Sequence, residues 1–223
     1  MRTRNIIMML VIAGIVLAGV LAGPMMSDVE QAKYTVVESH GTIELRDYEP
    51  LIVAEVQVTG PRKEAISQGF RMIADYIFGN NKESGKVAMT APVIQQLGFV
   101  PEVKNASKKL SKGQPAEDVK KAYDAWGTWH VRFVMPASYT LATLPKPNND
   151  AVKFSQVPAK RFAVIRFAGL AENDSLRERT TELSEFTKSK NLKTVGEPSY
   201  AFYNPPWTLS PLRRNEVMVE VVK

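Results

Sequence analysis

Cysteine is absent from the 223 residues and histidine occurs only twice. The first absence removes disulfides, thiolate metal sites, a cysteine nucleophile and a lipidated anchor cysteine, while leaving the redox compartment open. The two histidines, His40 and His130, stand in no cluster of histidines and carboxylates at metal-ligand spacing. The chain also lacks a Gly-x-Ser-x-Gly elbow, a phosphate-cradling glycine loop and His-Glu-x-x-His. Glu38, Glu44 and Asp47 are near one another in sequence, but Glu44 and Asp47 project to opposite faces of a strand and make no acid–base pair. No enzymatic reaction is expected. Aromatic residues do not interleave with the basic stretch, so no nucleic-acid partner is expected either.

Charge is missing from one long run. Arg2 and Arg4 precede an uncharged segment from Ile6 to Ala22, followed by Gly23 and Pro24. Its length lies between a signal-peptide core and a full membrane span. A cleaved signal peptide with a site near Val20-Leu21-Ala22 and an uncleaved anchor with its positive end inside are both open. Either way the rest of the chain is expected to be exported, periplasmic or held at the inner membrane by residues 1–23, with 24–33 as a linker. The formal charge is +6, and +4 once Arg2 and Arg4 are set aside. Much of the excess lies in Lys104, Lys108, Lys109, Lys112, Lys120 and Lys121, a stretch broken by Gly113 and Pro115 that reads as a solvated loop, with attraction to anionic lipid headgroups or ligand carboxylates as the alternative.

Hydrophobic residues make up 44% of the chain, enough for a real core. Tyr34–Val37 reads as a first strand ended by Ser39-His40-Gly41. Ile43–Tyr48 and Leu51–Val58 alternate around Glu49-Pro50 and read as a hairpin. From Arg62 the period becomes helical, with Ile66, Phe70, Ile73 and Ile77 on one face and Gly79-Asn80-Asn81 as the stop. Lys86–Gln96 reads as a strand interrupted by Pro92, which belongs at an edge or bulge, and Trp129–Met135 as another strand.

The same order then recurs. Val152–Val157 and Arg161–Ala168 repeat the hairpin, a second helix from about Asn173 to Lys190 turns Leu176, Leu183 and Phe186 inward, and Tyr200–Tyr203 and Glu216–Val222 supply two more strands. Asn173 or Asp174 would cap that helix. Repeat halves at about 34–136 and 151–223, each unable to bury its apolar face alone, predict one α+β domain over 34–223. The expected architecture is a pseudo-twofold, distorted eight-stranded antiparallel barrel with two packed helices.

Val87-Ala-Met-Thr-Ala-Pro-Val93, Phe133-Val-Met-Pro136, Arg161-Phe-Ala-Val with Phe167-Ala-Gly169, and Tyr203-Asn-Pro-Pro-Trp207 followed by Leu212-Arg-Arg-Asn-Glu-Val217 together resemble the SOUL heme-binding family. The resemblance spans the whole exported region. It implies a pseudo-symmetric barrel shared with bacterial small-ligand effector domains, affinity for heme or another tetrapyrrole, and no established reaction. In animal members the proposed heme face lies on the first helix, with an arginine and methionines at positions that align to Ser67, Phe70 and Ala74; this chain has none of those types there. The position of a proposed iron-ligating histidine in the first hairpin is Asp47.

The expected heme contacts are Phe70, Ile73, Ala74, Ile77 and Met89, with Arg71 toward a propionate. His130 and His40 are the candidate iron ligands, and Met72, Met89 and Met135 the softer alternatives. Trp126, Trp129, Phe133, Tyr200, Phe202, Tyr203 and Trp207 are candidates to floor a flat ligand, and Arg213–Glu216 to fix the last strand by charge-assisted hydrogen bonds. The favoured function is heme carriage or buffering by apolar burial. The alternative is an envelope binding or scaffold domain for another amphipathic ligand or protein.

Overall fold

The computed structural model describes residues 29–98 and 127–222. The leader, the lysine-rich stretch and Trp126 lie outside them. The alternating stretches form strands β1 Glu30–Gln31, β2 Tyr34–His40, β3 Ile43–Tyr48, β4 Leu51–Gly60, β5 Thr90–Ala91, β6 Val93–Leu97, β7 Gly127–Val134, β8 Lys153–Val157, β9 Lys160–Ala168, β10 Thr194–Phe202 and β11 Arg214–Val221. The stretches of helical period form α1 Arg62–Ile77 and α2 Asn173–Ser189. No helix among the described residues is long and apolar enough to cross a membrane. Glu30–Gln31, within the stretch expected to be linker, pairs with Thr90–Ala91 as part of the fold.

Nine strands make one sheet, in the order β2-β3-β9-β11-β10-β6-β7-β4-β8. The class is α+β, but the expected closed eight-stranded barrel is not formed, because β2 and β8 end the sheet without pairing to each other. The cause is that neither expected hairpin exists. β3 pairs with β2 and β9, and β4 with β7 and β8. Glu49-Pro50 and Pro158-Ala159 are therefore crossings between the two sides of the sheet. Proline has no amide to close a hairpin turn, and the Glu49 amide donates instead to Lys33 O at 3.1 Å. β2 and β3 do form a hairpin through Gly41-Thr42, where Gly41 takes φ 65°.

Lys86–Gln96 is not one strand. The ladder changes partner at the cis Ala91–Pro92 bond: Thr90–Ala91 runs parallel to β1, and Val93–Leu97 enters the main sheet between β10 and β7. Pro92 thus marks the break that its missing amide predicts.

One face of the sheet carries the main core beneath both helices. α1 packs on β4 and β7 with Ala65, Gly69, Ile73, Tyr76 and Ile77 buried. The stripe is rotated from the expected one because Gly69 meets the sheet: a Cβ there would stand 2.6 Å from Val131 Cγ2. Phe70 is accordingly exposed, its ring centroid 5.3 Å from that of Phe133. α2 buries Leu176 and Leu183 as expected. Neither Asn173 nor Asp174 caps it; Glu172 holds the N-cap position without a side-chain bond, and Asn173 Oδ1 accepts from Arg62 Nε at 2.6 Å. On the opposite face a smaller core of Tyr48, Ala91, Val164, Ala201, Tyr203 and Met218 lies under Val29, Ala32 and Tyr34.

Candidate functional site

The curled, unclosed sheet leaves a cleft of about 300 Å³ on the face away from the helices. It opens where the two missing hairpins would have been. Tyr48 and Glu49 with Lys160 and Phe162 stand on one side, and Leu51 and Val53 with Ser155 and Val157 on the other. Period-two alternation sorts the side chains: in β4, Ala54, Val56 and Val58 join the main core, while Val53 and Glu55 face the cleft. Ile94, Phe162 and Met218 complete an apolar floor.

Charge sits on both walls. Arg132 Nε donates to Glu55, its Nη1 donates to Gln96 Oε1 at 2.8 Å, and Glu55 Oε1 lies 2.9 Å from His130 Nδ1. Burial alone would push the Glu55 carboxyl up, but His130 and Arg132 outweigh it and hold Glu55 below the usual carboxylate range. Across the cleft Lys160 Nζ donates to Glu220 Oε2 at 2.5 Å. The cleft can thus hold a flat apolar body and meet polar groups at either side, once a ligand group replaces one partner of an ion pair.

Beside the floor, on the same face of the sheet, lies a buried polar cluster. Glu216, fully buried, accepts from Arg46 Nη1 at 3.0 Å, Arg214 Nη2 at 2.8 Å and Tyr203 Oη at 2.7 Å. Burial first, and then the Glu216 charge, push the Tyr48 hydroxyl up to about 12 and raise Tyr203 further. Arg213 and Asn215 bond backbone carbonyls of neighbouring segments, so this four-residue motif does fix the last strand.

The residues expected to contact heme are not gathered here. Ile73, Ala74 and Ile77 are buried against the sheet, and α1 lies on the other face from the cleft. Phe70 and Arg71 are exposed, and Met89 is half-buried against the main core. Met135 is buried and Met72 half-buried. Trp129, Phe133 and Tyr200 are core residues, Trp207 is exposed, and Tyr203 alone of the described aromatic candidates lines the cleft. His40 is on edge strand β2, bonded to Glu38 at 3.0 Å, with its ring tilted against that of Phe186 at 5.2 Å between centroids. His130 is on β7, with five strands between the two. No group of three or more metal-ligating residues occurs among the described residues. Sequence reasoning missed Glu55, Arg132, Lys160, Glu220 and Met218. Glu55 and Arg132 are lone charges on the polar phase of otherwise apolar strands, and that phase was the available signal.

No curated protein matches the chain in sequence. Among solved structures it is similar to the EcmrR C-terminal domain, with TM-score 0.56 and 13% identity over 85% of this chain and 98% of that one. An uncharacterized conserved protein from Listeria innocua gives TM-score 0.54 and 12% identity, covering 81% and 92%. A hydrolase from Listeria innocua gives 0.52 and 11%, covering 83% and 94%. Likeness at these identities speaks for the fold alone. The family model described as SOUL heme-binding protein matches residues 29–220, most of the chain, and the protein belongs to that family.

Proposed function

We propose that the protein binds heme or a related tetrapyrrole, mainly by apolar contact in the cleft, and carries or buffers it outside the cytoplasm. The observation that supports this reading is the apolar floor of Val53, Ile94, Phe162 and Met218 between walls that each hold one cation, in a member of the SOUL family. The cleft is at the lower end of ligand-pocket volumes, so a macrocycle enters by an edge and remains partly outside. Arg132 and Lys160 would take the propionates. Met218 is the soft donor in the lining, and His130 stands outside the lining, joined to it through the lining residue Glu55. With Glu55 on the Nδ1 side, Nε2 is the nitrogen left for iron, and Gly98 keeps that side free of a side chain: a Cβ there would stand 2.8 Å from Nε2. Ligation is accordingly weak or exchangeable. We assign no reaction.

The two halves are read as a duplication, and the sheet order supports it. Exchanging β3 with β8, β9 with β4, β11 with β7 and β10 with β6 returns the order of those eight strands read from the opposite end, as a twofold relation requires. The cleft lies between the halves.

Hemin titration tests the reading. A saturable Soret shift is expected, weakened tenfold or more by Ser155→Trp, which fills the cleft. A shift that survives Ser155→Trp but is lost in Phe70→Ser moves the ligand to the exposed α1 residues Phe70 and Arg71. No saturable shift rejects the tetrapyrrole. One observation favours the second reading, a domain for a different amphipathic ligand or an envelope partner: the lining holds four carboxylates, Glu49, Glu55, Glu197 and Glu220, against Arg132 and Lys160. Mass spectrometry of what co-purifies separates the two readings.

A further inference from the structure

The segment between β10 and β11 carries the most exposed large apolar side chain among the described residues. Trp207 is 69% exposed, and Leu209 and Leu212 are 53% and 55%. Leu170, 48% exposed, adjoins them, because the Gly169 amide donates to Ser210 O at 3.1 Å. A patch of this kind on a folded surface marks something that covers it.

The loop does not collapse onto its own apolar groups, because its backbone is tied inward. Thr208 N donates to Pro205 O, Leu212 N to Leu209 O and Arg213 N to Ser210 O. Arg213 Nε donates to Thr208 O at 2.8 Å and its Nη2 to Pro206 O. Arg214 N closes the base on Asn204 Oδ1 at 2.6 Å. Pro205, Pro206 and Pro211 have no amide to satisfy. A loop that meets part of its backbone hydrogen bonding internally while exposing Trp and Leu suits a poorly hydrated interface better than one whose backbone relies on water alone. From Asn204 to Arg213 there is no carboxylate, and the one charge is the Arg213 cation.

The entry of the described chain lies at the same end of the molecule as this loop. Gln31 Oε1 accepts from Arg214 Nη1 at 3.2 Å, and Tyr34 Oη lies within reach of the same guanidinium. The first described residues therefore meet the residue that closes the loop. Between the uncharged run ending at Ala22 and Val29 stand only the six residues Gly23–Asp28, which span at most about 20 Å. If that run stays in the bilayer, the loop base is held within a short tether of its surface.

We propose that the Asn204–Arg213 loop is a membrane foot, seating Trp207, Leu209 and Leu212 in the interfacial layer of the bilayer that holds the N-terminal segment. Trp is the residue type favoured at that depth, and a cation beside it suits anionic headgroups. The inference rests on the uncleaved-anchor reading of residues 1–23 and is independent of the ligand in the cleft.

The test uses the full chain reconstituted into phosphatidylcholine–phosphatidylglycerol vesicles, with and without phosphatidylcholine brominated at mid-chain. Flotation reports the anchor, and the emission lost in Trp207→Phe isolates Trp207 from Trp126 and Trp129. The expected result is a chain that floats and a Trp207 signal that is blue-shifted, quenched by brominated lipid and protected from aqueous iodide. Leu209→Ser/Leu212→Ser should remove most of that quenching while leaving flotation and the melting temperature unchanged. A floating chain whose Trp207 ignores bromine and is quenched by iodide overturns the foot but not the anchor. Protection from iodide without bromine quenching overturns it in favour of a protein contact. A chain that does not float overturns both.

Discussion

Arg62 Nε donates to Asn173 Oδ1 at 2.6 Å, joining the first residues of the two helices across 111 positions of sequence. The same guanidinium donates to Ala171 O at 2.9 Å and Gln95 Oε1 at 3.3 Å, and Gln95 Nε2 returns a bond to Arg62 O. Both Arg62 and Gln95 are buried, so this clamp fixes α1, α2 and β6 relative to one another on the side of the sheet away from the cleft. Arg62→Ala strands several acceptors and should cost about 2–4 kcal/mol in urea denaturation. Arg62→Lys should recover little, because an ammonium cannot reproduce the fork.

Glu216 stands between Arg46 and Arg214 with no exposed surface. Glu216→Gln leaves the buried Arg46, whose other carboxylate partner is Glu44, and the half-buried Arg214 facing a neutral side chain, and a loss of about 3 kcal/mol is expected. Tyr203→Phe removes one donor from the same carboxylate and should cost about 1 kcal/mol. Equal losses for the two variants would show that charge compensation is not what holds β3 to β11.

Alkaline pH should unfold the protein early. Tyr48 holds its proton to about 12 in the fold, against an ordinary 10. The raised value means that the folded state keeps a proton the unfolded state releases, so this stability is present below pH 10 and falls as pH rises from 10 through 12. Melting temperature measured from pH 8 to 12 should drop across that window, and less steeply in Tyr48→Phe. A pH-independent melting temperature there would contradict the buried position of the hydroxyl.

Gly69→Ala sets two effects against each other. Alanine in a helix interior favours folding by about 1 kcal/mol over glycine, but its Cβ would stand 2.6 Å from Val131 Cγ2, and such overpacking costs about 1–3 kcal/mol. Net destabilisation is expected, relieved in Gly69→Ala/Val131→Ala. A stabilised single variant would mean that α1 can lift from the sheet at no cost.

For heme, Gly98→Ala should act like His130→Ala. The added methyl would occupy the space beside Nε2, so both variants should lose any low-spin imidazole signature while the Soret titration persists. A low-spin spectrum unchanged in both would return His130 to a purely structural role and leave Met218→Leu as the variant that reads the axial donor.

The local elements were legible from residue order alone because their causes are local. The switch from period two to period 3.6 near Arg62 and again near Asn173 located both helices within a residue or two, and Pro92 and Gly41 announced a break and a turn. The family was legible too, since its motifs are contiguous. What decided the site was the pairing of strands far apart in sequence. β3 chooses β9, and β4 chooses β8, by which registers bury apolar faces from both halves at once. That choice opens the cleft in place of two hairpins and turns Ile73, Ala74 and Ile77 into core. It also sets Lys160 against Glu220 and Glu55 against Arg132 and His130. No local pattern encodes those contacts, because an ion pair or a close helix approach at a glycine depends on the distance between surfaces, and that distance exists only once the sheet has curled.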